Sequence, residues 1–283
     1  MNFFLINLDR AADRRYHMVK EISRLIPNAP IERAMCIDIK AFGWAPPAFV
    51  KPGRWKSDRW SLGPSDIEIF RSHIDCWEKI SSSGEVGVVL EDDLLFSKDF
   101  TRAISKLEAA QVRGLVRLDG VGRPLILDKA VLHLDEFTLC PVGSLAPSAA
   151  AYMLDPQTAA ELVAKVKIER TVDDYLFDPT SSDHGVKGHN FTILQIEPVV
   201  TVQAQFGKYA DPMREIPDFL KVTKRVDAAN RKSKVYRGPW PYRVRKEILR
   251  VLLRRRLSQR IDFVTSNGGR WTEPDLCADL LWV

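Results

Sequence analysis

Residues Gly84-Glu85-Val86-Gly87-Val88-Val89-Leu90-Glu91-Asp92-Asp93 form a short apolar run that ends in three adjacent carboxylates. A run of this length reads as a strand buried on both faces, which delivers its acids to one end of a sheet. Three neighbouring carboxylates repel one another, so a fold keeps them together only where water, basic side chains or a hard cation offsets the repulsion. In open α/β sheets ligands collect beyond the carboxyl ends of the strands, and acids there can hold Mg²⁺ or Mn²⁺ against a diphosphate. A solvated acidic turn is the plainer reading of the same residues.

The chain opens with a second run, Asn2-Phe3-Phe4-Leu5-Ile6-Asn7-Leu8-Asp9-Arg10, followed by Asp13-Arg14-Arg15. This is a first strand feeding a basic helix start, where backbone amides and the forks of Arg10, Arg14 and Arg15 suit a nucleotide phosphate. Between the two runs, Ile67, Phe70, Ile74 and Trp77 recur at helical spacing, with Ser65 or Asp66 as the expected N-cap. His73 lies on the side of that helix that carries Ile69, Trp77 and Ile80, which makes it either a core histidine or a site residue. Strands are expected near residues 2 to 7, 31 to 37, 86 to 90 and 193 to 200, and helices near 11 to 25, 66 to 82, 99 to 111 and 157 to 167. Such alternation predicts a largely parallel sheet with helices on both faces.

Several ordered segments together resemble glycosyltransferase family 25, which includes bacterial lipopolysaccharide and lipooligosaccharide galactosyltransferases and animal collagen galactosyltransferases. They are Ile6 to Arg10 with Asp13 to Arg15, Arg71-Ser72-His73 with Trp77, Leu90 to Asp93, Ala151-Tyr152-Met153 through Leu162, and Val172-Asp173-Asp174-Tyr175-Leu176. The resemblance spans about residues 1 to 205. It implies a GT-A type, Rossmann-like sheet, UDP-galactose as donor, a lipopolysaccharide or lipooligosaccharide core glycan as acceptor, and inversion at the anomeric carbon. On that reading Asn7, Leu8, Arg10, Arg14, Arg15, Asp38, Ser72, His73, Glu91 and Asp92 bind the donor, and Asp93 with Asp92 holds Mn²⁺ or Mg²⁺. Asp173 is the leading general base and Asp174 the second, because a base must sit away from a cation to keep a useful pKa. The same pair also suits the positive end of a helix. Two departures from the family pattern stand out: Ser65-Asp66-Ile67-Glu68-Ile69 replaces a glycine-containing turn, and Ile39 follows Asp38 where a glycine is usual. A nucleotide-sugar hydrolase, or an inactive binding protein that has lost those glycines, are the alternatives.

Charge divides the chain in two. Its formal net charge is +5, yet Lys221 to Arg260 holds fifteen Lys or Arg against Asp227 and Glu247, which leaves the remainder at −8. The expected organisation is a transferase domain over 1–220 and a basic, partly helical extension over 221–283. Within the extension, Pro239-Trp240-Pro241-Tyr242 leads into a helix whose apolar residues fall on one broad side, with Arg243, Lys246, Arg250 and Arg254 opposite and Arg245, Arg255 and Arg256 intruding. Such a helix can lie on an anionic bilayer or pack on the body with a solvated basic edge. Nucleic acid is not expected, since a body of net −8 is repelled by phosphate backbone.

Ala41 to Trp60 is irregular and holds Trp44, Trp55 and Trp60, which makes it a packed loop or a lid with sugar-stacking faces. Cys36, Cys76, Cys140 and Cys277 have no paired spacing, and His184 and His189 near Asp183 show no distinctive metal spacing. No run suits a signal peptide or a membrane span, so a cytoplasmic protein is expected, with peripheral contact to the inner membrane face.

Overall fold

The computed structural model describes residues 1–36, 62, 64–179, 191–210 and 240–283. Fifteen strands and six helices follow one another along these residues. The strands are β1 (Asn2–Leu8), β2 (Ile31–Cys36), β3 (Gly87–Glu91), β4 (Leu94–Phe96), β5 (Leu115–Arg117), β6 (Asp119–Gly120), β7 (Leu125–Leu127), β8 (Leu132–Leu134), β9 (Phe137–Pro141), β10 (Ala151–Leu154), β11 (Ile193–Glu197), β12 (Thr201–Gln203), β13 (Gly207–Tyr209), β14 (Arg270–Thr272) and β15 (Leu280–Trp282). The helices are α1 (Ala12–Leu25), α2 (Pro64–Ser83), α3 (Phe100–Ala109), α4 (Pro156–Lys165), α5 (Val172–Phe177) and α6 (Trp240–Ser266).

Eight strands form the central sheet in the order β2-β1-β3-β10-β5-β11-β9-β8. Six of them run one way; β10 and β9 are antiparallel to their neighbours. The protein is therefore a mixed α/β fold with a mostly parallel central sheet, as the strand–helix alternation predicts. Each expected strand and helix is present within a few residues of its expected bounds. The second helix begins at Pro64, so Ser65 and Asp66 lie in its first turn rather than at its cap, and proline tolerates that first position.

Period-two alternation explains how the sheet is covered on both sides. Phe3, Leu5, Val88, Leu90 and Met153 point to one face, where Met18 and Ile22 of α1 and Phe100, Ile104 and Leu107 of α3 cover them. Phe4, Ile6, Val89, Tyr152 and Leu154 point to the other, under Phe70, Trp77 and Ile80 of α2, Leu162 of α4 and Tyr175 of α5. The two helix layers thus hold β1, β3 and β5 with their carboxyl ends along one edge.

The expected 221–283 extension is joined to the body at its end. After α6, β14 pairs with β7, β15 pairs with β13, and Leu280 joins a small core with Leu95, Val199 and Val202. Trp282 lies over Gly120 and Gly122, where an added Cβ at Gly120 would stand 2.9 Å from the ring. Among the described residues no helix is long and apolar enough to cross a membrane.

Candidate functional site

The carboxyl edge of β1, β3 and β5 gathers the polar residues that the core excludes. β1 ends with Asn7 and Leu8, α1 follows at once and carries Arg14 in its first turn, and β3 ends at Glu91 before the turn Asp92-Asp93. Asn7 is buried; its amide donates to the Ala11 carbonyl at 3.0 Å and to Asp92 Oδ2 at 2.6 Å. Arg14 Nη1 stands 3.2 Å from Asp92 Oδ1, so both oxygens of that carboxylate are engaged. Burial first, and then the charge of Asp93, pushes the Asp92 carboxyl up to about 6, against the opposing pull of Arg14 and Asn7.

Glu91 and Asp93 converge on one donor from a neighbouring strand. Gln203 of β12 donates from Nε2 to Glu91 Oε2 at 3.1 Å and to Asp93 Oδ1 at 3.3 Å. The Glu91 side chain keeps 23% of its surface open, enough for a ligand to reach it. Its carboxyl is pushed up to about 8, chiefly by burial and then by the charges of Asp92, Asp119 and Asp173, with Arg14 opposing. The influence of Asp173 on Glu91, on His73 and on Arg117 sets it electrostatically with the acid edge. Asp174 belongs to a different neighbourhood: burial, then Asp173 and Asp178, raise it to about 7, with Arg170 opposing.

A hydrogen-bonded chain behind Glu91 ends at His73. Trp77 Nε1 donates to Tyr152 Oη at 2.8 Å, and Tyr152 Oη lies 2.7 Å from His73 Nδ1. Burial lowers His73 to about 3, the opposing charge of Asp173 notwithstanding, so the imidazole is neutral. Tyr152 Oη accepts from the indole and shares a second hydrogen bond with Nδ1, whose direction is set by the ring's tautomer. His73 Nε2 stands 3.6 Å from Glu91 Oε1, beyond hydrogen-bond reach, and with the ring neutral the contact is not an ion pair. His73 is thus both of the things its helical position allowed, a core histidine and a neighbour of the acid edge.

A second polar layer, formed by residues outside the sequence motifs, lies behind this edge. Arg117, fully buried, donates to Gln195 Oε1 at 3.1 Å, to the Pro147 carbonyl at 2.7 Å and to Asp119 Oδ1 at 3.3 Å. Asp119 Oδ2 accepts from Ser148 Oγ at 2.5 Å and from the Ala150 amide at 3.3 Å. Ser148 holds a left-handed φ of 80°, strain that its bond to Asp119 helps to sustain. Asp119 had a legible signal: Leu115-Val116-Arg117-Leu118-Asp119 repeats the pattern of an apolar strand ending in an acid. Gln203 had none, since nothing local marks a glutamine that reaches across from another sheet.

Of the expected donor-binding residues, the structure brings Asn7, Arg14, His73, Glu91 and Asp92 to this edge, with Leu8 beside them. Ser72 is buried and its hydroxyl donates to the Glu68 carbonyl inside α2 at 3.0 Å. Arg10 is exposed in the β1–α1 turn, and Arg15 is half-buried on α1. Asp38, the loop 41–60, and Asp183 with His184 and His189 lie outside the described residues. An open hollow of about 830 Å³ lies at the opposite edge of the sheet, lined by Gly84, Gly114, Thr192 and the start of α4. Asp155 caps that helix start through Gln157 N and Thr158 N, so the hollow's main anion-binding feature is already satisfied by the chain.

The acid edge suits a hard divalent cation. Its donors are carboxylate oxygens, and the buried Oδ1 of Asn7 has no hydrogen-bond partner. Among the described residues no group of three or more His, Cys, Asp and Glu forms a metal cage. Asp93 and Glu91, which share Gln203, and Asp92, which is held by Asn7 and Arg14, are the carboxylates that could hold such a cation.

The fold and its acid edge define a mixed α/β protein whose polar residues gather at the carboxyl ends of a mostly parallel sheet. Residues 1–119 match the sequence model of glycosyltransferase family 25, the lipopolysaccharide biosynthesis proteins. That stretch holds Asn7, Arg14, His73, the Glu91 to Asp93 triplet and Asp119, and stops short of Asp173. The resemblance noted from the motifs is therefore borne out over the first part of the chain. No curated protein matches the sequence. Similar solved structures include a Bacillus anthracis protein described as a glucose-1-phosphate thymidylyltransferase (12% identity, 59% of this chain and 76% of that one, TM-score 0.34). Others are a mannose-1-phosphate geranyltransferase from Thermus thermophilus (12%, 69% and 74%, TM-score 0.33) and the CTP:phosphocholine cytidylyltransferase of Streptococcus pneumoniae (9%, 80% and 98%, TM-score 0.33). At such scores the likeness carries no weight for the chemistry.

Proposed function

We propose that the protein is a glycosyltransferase of lipopolysaccharide or lipooligosaccharide assembly that moves galactose from UDP-galactose to a core glycan, with inversion. The observation that carries this reading is the convergence of Glu91 and Asp93 on Gln203, beside an Asp92 held by Arg14 and Asn7, within the stretch that matches the family. Arg14 at the start of α1 supports the donor diphosphate through its charge, and Asn7 Oδ1 offers an unfilled acceptor to a donor hydroxyl or a cation shell. Mn²⁺ or Mg²⁺ held by Asp93 and Glu91 would neutralise the charge that builds on the departing diphosphate.

Asp173 is the proposed general base. It takes the proton of the acceptor hydroxyl as that oxygen bonds to the anomeric carbon and the carbon–phosphate oxygen bond breaks, releasing UDP. His73, held by Tyr152, which also accepts from Trp77, packs behind the Glu91 carboxyl at 3.6 Å.

Thermal unfolding with a panel of nucleotide sugars, with Mn²⁺, with Mg²⁺ and with EDTA, is the direct test. A metal-dependent rise of several degrees with a UDP-hexose supports the reading, since ligand at a hundredfold its Kd adds about 2.7 kcal/mol. No shift with any nucleotide overturns it. UDP and sugar release that ignores added acceptor would make the protein a hydrolase instead.

A further inference from the structure

We infer that α6 docks on an anionic lipid bilayer through an apolar stripe that faces away from the body. The helix has two apolar sides, not one. Tyr242 and Val264 are buried, and Val264 sits over the β7–β14 pair, so the side they share faces the protein. Trp240, Val244, Ile248, Val251 and Leu252 lie on a different side, within about 120° of arc at 3.6 residues per turn. They are open to solvent, Trp240 at 71% and Ile248 at 59%.

Charge names the occupant. The helix carries eight Lys or Arg against Glu247 and Asp262, and Glu247 is paired with Arg250 at 3.1 Å. Arg243, Arg250 and Arg254 fall along one margin of the stripe, and Arg245 and Arg256 along the other. An apolar strip with arginines on both margins matches a bilayer interface, where the strip enters the acyl boundary and the guanidinium groups reach phosphates. Asp262 lies on the same side as the stripe but beyond its apolar part, and Arg255 interrupts it after Leu252, so contact is concentrated in the first half of the helix. A second copy of this chain, whose body is acidic, is the competing occupant; arginines on both margins of a central strip suit a planar anionic surface better than one acidic patch.

The docking stands apart from the transfer reaction, and the experiment keeps the two separate. The full chain is sedimented with phosphatidylcholine vesicles and with vesicles rich in phosphatidylglycerol. Binding to the anionic vesicles should exceed that to the neutral ones by on the order of tenfold or more, and should fall as salt is raised. The double variant Ile248→Glu, Val251→Glu alters only exposed positions. It should keep its circular dichroism and lose anionic-vesicle binding by more than about tenfold. Asp93→Asn should bind vesicles as the unaltered chain does. Equal, weak binding to both vesicle types overturns the inference, as does undiminished binding by the double variant. So does a chain dimer in light scattering that the double variant dissociates, with no vesicle binding.

Discussion

α2 and α6 are both long helices with an apolar side, and they treat it in opposite ways. α2 buries Phe70, Trp77 and Ile80 against the sheet, while α6 leaves Trp240, Val244, Ile248, Val251 and Phe263 in solvent. Periodicity announces that a helix has an apolar side; it does not say whether the rest of the chain supplies the cover. The sheet covers α2 because β1, β3 and β10 present Phe4, Val89 and Tyr152 to it. Among the described residues α6 rests chiefly on the β7–β14 pair, which meets one of its apolar sides and leaves the other open.

That contrast predicts where substitutions act. The largest effect falls on the sheet edge that α2 supports. Asp93→Asn should lower kcat/KM for sugar transfer by a thousandfold or more, about 4 kcal/mol, while the urea midpoint stays put. An active Asp93→Asn chain would dissolve the catalytic half of the comparison. Next comes the core of α2: Trp77→Ala should cost about 3–5 kcal/mol in urea unfolding, and it also leaves Tyr152 without its indole donor. A Trp77→Phe variant separates the two contributions, since it keeps most of the packing and removes only the bond.

Acidity gives the third, smaller effect. Asp174 in the folded state titrates near 7, above the ordinary carboxylate value, so the folded chain holds a proton that the unfolded chain has already released. Its contribution to stability is therefore complete at acid pH and fades as pH rises from about 4 to 7, with a slope of at most about 1.4 kcal/mol per pH unit for one proton. Asp174→Asn should flatten the stability profile across that window, as followed by urea unfolding at a series of pH values. An unchanged profile would remove Asp174 from the buried acids. Smallest of all, Ile248→Ala on α6 should shift folding stability by no more than about 0.5 kcal/mol. A loss of several kcal/mol there would mean that the outward stripe is covered in the native chain.

The fold was legible where patterns are local. β1 and β3 read as apolar runs because the sheet is covered on both faces, and α2 as a 3.6 repeat because one of its sides packs on the sheet while the other meets solvent. The short strands β4 to β9 were not, since segments of two to five residues owe their conformation to partners far along the chain. The candidate site divides in the same way. Glu91, Asp92, Asn7 and Arg14 follow from where strands end. Gln203, Ser148 and the pairing of Arg117 with Asp119 depend on β12 and on the 147–150 turn being folded against β3 and β5. The roles of α6 could not be told apart from its sequence, because the two apolar sides merge on a projection until Tyr242 and Val264 are seen to dock.

The last strand has a practical consequence. Because the ring of Trp282 rests on Gly120, next in sequence to Asp119, the last strand senses side-chain volume there: a methyl group added at Gly120 would stand 2.9 Å from the ring and push it aside.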